Sequence, residues 1–132
     1  MCYLGTHDTY TPAHKDLCGS VGHNLMVDTE GEGSAFWFMT KTSDAHHAAQ
    51  YLQKLGYELD HENHALTLGE LSKAPFDVYV TEQRKGDMVL VPPSSMHQVV
   101  NQGAITLKVS WSRMTPRSLD IAIRRELDIY RR

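Results

Sequence analysis

Apolar and polar positions alternate in short runs along most of this chain, with turn residues between them, and a period of two predicts strands. The segment "HNLMVDTEGEGSAFWFMTKT", residues 23–42, reads as strand, acidic glycine-bearing turn, strand, which is a hairpin-like unit. "FDVYVTEQ", 76–83, reads as a further strand. "GDMVLVPPSSMHQVVNQGAITLKVSW", 86–111, alternates strand runs with Pro-Pro and Gly punctuation.

The period changes in two places. "SDAHHAAQYLQKLG" carries Ala45, Ala48, Leu52 and Leu55 at helical spacing, with Ser43 as N-cap and Gly56 as stop, so a helix is expected over 43–55. The polar stretch after it is a loop, followed by a short helix or turn over 67–73 that Pro75 ends. "TPRSLDIAIRRELDIYRR" closes the chain with a helix that Thr115 caps and Pro116 starts. The pattern therefore predicts a mainly β fold with a helical insertion, 42–75, and a C-terminal helix.

No repeat, low-complexity stretch or linker divides the 132 residues, so one domain over 1–132 is expected. Strand-like sequence begins within two or three residues of Met1, which suggests a piece of a longer protein. At a net charge of −3 the chain offers no basic field for nucleic acid, although Arg124, Arg125, Arg131 and Arg132 form a local basic spot. The longest apolar run, "AFWFM", is far short of the roughly 20 residues a bilayer requires, and no signal pattern precedes it. An intracellular protein away from membranes is expected. Cys2 and Cys18 form no Cys-x-x-Cys pair and are read as reduced thiols.

Chemistry concentrates in "TYTPAHKDLCGS", residues 9–20. Two positions apart on extended backbone means one face, so His14 and Asp16 can offer a nitrogen and an oxygen to a single metal ion. A second histidine would complete the 2-His-1-carboxylate set that leaves open positions on iron(II). Of the others, His97 fits best, because it follows a strand and a Pro-Pro turn and opens "HQVVNQG". His46 and His47 on the helix, and His61 and His64 in the polar loop, are expected to face solvent, whereas His7 and His23 are ambiguous.

"CYLGTHDTYTPAHKDLCGSVGHNLMV" together with "GDMVLVPPSSMHQVVNQGAITLKVSW" resembles the two metal-binding halves of JmjC domains, and the wording is closest to fungal members. The likeness covers most of residues 1–125. It implies a double-stranded β-helix, the cupin-like jelly-roll barrel, with His14, Asp16 and His97 as iron(II) ligands and 2-oxoglutarate as cosubstrate. It also implies that Thr11, three before the first ligand, and Asn24, ten after it, contact that cosubstrate. By the same resemblance the chain is an oxygenase that uses dioxygen to hydroxylate or demethylate a protein or peptide, a histone tail included, in the nucleus. Substrate-reading elements in this family often lie in flanking segments.

The chain departs from the family at one point. Many JmjC enzymes open the strand corresponding to "SAFWFMTK" with a lysine that holds the distal carboxylate of 2-oxoglutarate, and Ser34 stands there. A neutral hydroxyl replaces a charge-assisted bond at a loss of roughly tenfold in affinity. Lys108, eleven positions after His97, is the substitute expected by analogy with related β-helix oxygenases, and it shares a face with Thr106 and Ser110. Lys41, seven residues from Ser34, has the opposite parity. Phe36 and Phe38 share the parity of Ser34, and Trp37 has the other.

Two further readings compete. The missing strand lysine suits a non-catalytic JmjC module that binds chromatin or a partner. A small metal-binding cupin with unrelated chemistry would bind a divalent ion without responding to 2-oxoglutarate.

Overall fold

The computed structural model describes residues 1–126. Among them, eight strands form two antiparallel sheets, and the chain passes from one sheet to the other at every step except β4 to β5: β1 (Cys2–Gly5), β2 (Tyr10–His14), β3 (Val21–Thr29), β4 (Ser34–Met39), β5 (Tyr79–Gln83), β6 (Met88–Val91), β7 (His97–Gln102) and β8 (Thr106–Arg113). One sheet has the order β1-β8-β3-β6 and the other β2-β7-β4-β5. This is the jelly-roll arrangement of a mainly β, cupin-like fold.

The alternation corrects one expectation. The strands on either side of "DTEGEG" do not pair: β3 bonds to β6 and β8, and β4 to β5 and β7. A local turn signal cannot distinguish a hairpin from a crossover between facing sheets, because both need only a short glycine-bearing connection.

The helical insertion links the paired strands β4 and β5. A 3-10 turn at Thr42–Asp44 leads into α1 (Ala45–Lys54), so the cap falls on Asp44 rather than Ser43, and no side chain closes it. Next come a 3-10 turn at Leu59–His61 and the one-turn α2 (Leu68–Leu71), whose capping box joins Thr67 and Glu70. Ala48 and Leu52 of α1 pack with Leu59, Leu66 and Leu71 onto Ala13, Met96 and Phe38, forming a core on the outer side of the second sheet. The barrel interior has its own cluster of Met26, Ala35, Trp37, Val89, Val91 and Val99. His46, His47 and His61 are exposed. His64 is not: it is half-buried, stacked on Tyr57 at 3.7 Å and paired with Glu70.

The last helix, α3 (Pro116–Arg125), begins at the expected cap, with Thr115 and Ser118 bonded reciprocally. The remainder of its expected span, with Arg131 and Arg132, lies outside the described residues. No described helix is long and apolar enough to cross a membrane.

Candidate metal centre

Strand pairing brings two of the histidines together, since His14 ends β2 directly opposite His97, which begins β7. Their ring centroids are 4.1 Å apart, tilted by 53°. Asp16 lies beyond the end of β2, where extended backbone (φ −64, ψ 140) carries the alternation two residues further before a 3-10 turn at Leu17–Gly19. Its Oδ1 is 3.9 Å from His97 Nε2, and one ligand atom from each residue falls within 4.8 Å of the others.

Both imidazoles are aimed by backbone. His14 Nδ1 lies 2.8 Å from the Pro12 carbonyl and His97 Nδ1 lies 3.0 Å from the Ser95 carbonyl. A carbonyl only accepts, so each Nδ1 carries the proton and each Nε2 keeps its lone pair for a metal. Burial, with His14 second, pushes His97 down to about 4, so its ring is neutral at ordinary pH. Burial raises the Asp16 carboxyl while His14 acts against it. Trp37 stacks on His97 at 5.9 Å, and its indole N–H donates to Gln83 Oε1 at 2.8 Å.

Gly22 makes room for the carboxylate. A Cβ at that position would collide with Asp16 Oδ2 and lie 3.1 Å from Val91 Cβ, so the approach of β3 to the site requires glycine.

The three residues line a cavity of about 230 Å³ inside the barrel, together with Thr11, Asn24 and Lys108. Thr11 and His14 are three apart, a separation that puts residues of a regular strand on opposite faces. A register shift between them turns both inward. Asn24 is buried on β3, with its Oδ1 and carbonyl facing Gln83 Nε2 at 3.3 and 2.9 Å. Tyr3 also lines the cavity, and Tyr10 lies at its rim, 60% exposed.

Lys108 is 4% exposed, and its Nζ donates to Asn101 Oδ1 at 2.5 Å. Burial lowers it to about 8. No carboxylate among the described residues forms an ion pair with it, so this cation faces only a neutral amide. Asn101 escaped the sequence reading. It sits four residues after His97 on the inward face of β7, donates to the Thr9 carbonyl and hydroxyl, and accepts from Lys108. Its even spacing from His97 was the available signal.

Ser34 is not brought to the cavity. It occupies the outer face of β4, in a surface cleft with Arg84 and Lys85, and its hydroxyl helps Arg84 to hold Glu82 below the usual carboxylate range. The inward residues of β4 are Ala35, opposite Asn101, and Trp37, opposite Val99. The family lysine therefore has no counterpart on the inward face of this strand, and the comparison belongs at Ala35. Lys41 pairs outside with Asp77 at 3.1 Å.

Two imidazoles with free Nε2 atoms and one carboxylate, gathered on one side of a cavity, are a donor set that fits iron(II) and its divalent surrogates. Comparison with known proteins agrees with this chemistry. A family model described as JmjC domain, hydroxylase, matches residues 1–112. C-module-binding factor A of Dictyostelium discoideum is 40% identical over 123 residues, covering 92% of this chain and 12% of that protein. The chain thus spans about an eighth of the length of that relative. With a family match over most of its residues and this degree of identity, the chain belongs to the JmjC-domain family.

Proposed function

We propose that this domain is an iron(II)- and 2-oxoglutarate-dependent oxygenase acting on a protein or peptide, with His14, Asp16 and His97 holding the metal. Iron held by these residues would supply dioxygen activation, in which 2-oxoglutarate is oxidatively decarboxylated to succinate and carbon dioxide, one oxygen atom entering succinate and the other a substrate C–H bond. The protein supplies geometry and exclusion of water. The backbone carbonyls of Pro12 and Ser95 hold the two rings in the ligating tautomer, and Trp37 walls off His97.

One observation carries the cosubstrate reading: the buried Lys108 ammonium lies in the same cavity as the triad without an anionic partner. A desolvated cation is unfavourable unless compensated, and the distal carboxylate of 2-oxoglutarate is the compensation it suits. Thr11 and Asn24 line the same cavity and extend the polar surface available to the cosubstrate. The substrate class, including a histone tail, and a nuclear location belong to this proposal and rest on family membership. Succinate formation from 2-oxoglutarate with iron(II) and ascorbate tests it: turnover that Asp16→Ala abolishes is expected, and its absence from the folded, metal-loaded protein would overturn it.

The second reading is a JmjC module that binds without turnover. It draws on the name of the Dictyostelium relative, a binding factor. Most of that protein lies outside the matched region, so its name does not locate the binding in this domain.

A further inference from the structure

The C-terminal helix reaches back to both loops that carry the candidate ligands. Glu126, immediately after α3, is 3% exposed. Its Oε2 accepts from the Gly19 N–H at 2.9 Å, and its Oε1 accepts from the Ser94 hydroxyl at 2.9 Å. Gly19 lies three residues after Asp16, and Ser94 three before His97. The sequence separations are 107 and 32 residues, so a single carboxylate ties together three distant parts of the chain.

Both loops have backbone that needs holding. Cys18, Gly19 and Ser94 have φ of 57, 55 and 57, the left-handed region, which is unfavourable for the two non-glycine residues. The turn carrying Gly19 rests against α3: a Cβ at Gly19 would come 3.2 Å from the Ser118 carbonyl oxygen. The His97 loop has a second anchorage, since Ser95 Oγ donates to the Thr40 carbonyl at 2.6 Å and the Met96 N–H donates to Thr40 Oγ1. Loss of Glu126 would therefore act more on Asp16 than on His97.

We propose that Glu126 is a positioning residue for the metal centre, setting the placement of the Asp16 carboxylate relative to His97 through the Gly19 and Ser94 loops. The proposal rests on the triad as the metal site. Metal binding and docking of α3 are then coupled, and coupling is reciprocal: the ion should stabilise the helix as the helix supports the ion. Residues hydrogen-bonded directly to a metal ligand alter metal affinity by roughly ten- to a hundredfold, and Glu126, which acts one step further out through the two loops, belongs at the lower end of that range.

Cobalt(II) binding to the whole chain provides the test, read by titration and by the visible absorption of the bound ion. Glu126→Gln preserves shape but replaces one acceptor oxygen with an amide donor. About tenfold weaker binding and an altered cobalt spectrum are expected, with amide exchange in α3 slowed by cobalt in the parent and not in the variant. Ser94→Ala removes one of the two contacts and should weaken binding less; it also serves if the Glu126 variant does not fold. An unchanged spectrum and affinity in these variants, while the parent binds cobalt and His14→Ala does not, would overturn the positioning role alone. A parent that binds no cobalt would overturn the triad and this proposal with it.

Discussion

Lys108 on β8 donates to Asn101 on β7 across the barrel interior, a short hydrogen bond of 2.5 Å that joins one sheet to the other. The same strand β7 presents His97 at its other end, on the same face, four positions before Asn101 and so roughly 13 Å away at strand rise. One strand therefore links the metal end of the cavity to the amide that steadies the cationic end.

Replacing Lys108 with methionine separates function from stability. Binding of 2-oxoglutarate should weaken by about tenfold or more, the loss of a charge-assisted bond, while metal affinity is retained. The unliganded variant should melt at a higher temperature, because a buried ammonium without an anion is replaced by an apolar chain. Calorimetric titration and thermal unfolding check the two halves; unchanged 2-oxoglutarate affinity would remove Lys108 from the site.

The pH dependence has a definite sign. Burial lowers Lys108 from 10.5 to about 8, so the free protein holds the ammonium below that pH and loses it above. Affinity for the dianion should be full near neutrality and fall as pH rises through 8. The stability of the unliganded protein should change in the opposite sense. Between about 8 and 10.5 the unfolded chain binds the extra proton, so this group's contribution makes stability rise with pH across that window. Denaturation at pH 7.5 and 9.5, compared between parent and Lys108→Met, isolates the contribution.

Gly22→Ala should damage the metal site more than the fold. The added methyl occupies the space of Asp16 Oδ2, and the carboxylate can rotate away at modest cost. Manganese affinity is expected to fall at least about tenfold, as for loss of a supporting contact, with a stability change of about 1 kcal/mol. Undiminished affinity would show that the carboxylate binds from another rotamer.

Gln83 is a structural counterpart. It is fully buried, accepts from the Trp37 indole and donates to the Asn24 carbonyl. Gln83→Ala leaves a buried indole N–H and a carbonyl unpaired, and chemical denaturation should report a loss of about 2–4 kcal/mol. Gln83→Glu, which keeps the acceptor for Trp37, should recover part of it.

The sequence disclosed what local periodicity can disclose. Alternation exposed the strands, helical spacing placed α1, and the parity of Trp37 against Phe36 matched their opposite faces on β4. The pairing of His14 with His97 was inferable only because two short motifs pointed to one chemistry. Sheet membership was not legible, since β3 and β4 look like a hairpin and yet belong to opposite sheets. Ser34 was misplaced because the family comparison was one residue out of phase, and on a strand one residue reverses the face. Glu126 left no local trace, because both its partners are remote and neither contact follows a period.

The most direct measurement is manganese(II) binding with and without 2-oxoglutarate, followed by water-proton relaxation in the parent and in His14→Ala, Asp16→Ala and His97→Ala. The expected result is one ion per chain in the parent, loss of binding in the three variants, and a fall in relaxivity as 2-oxoglutarate displaces water from the bound ion. Full manganese affinity in the variants, or a bound ion whose relaxivity ignores 2-oxoglutarate, would contradict the shared metal and cosubstrate site.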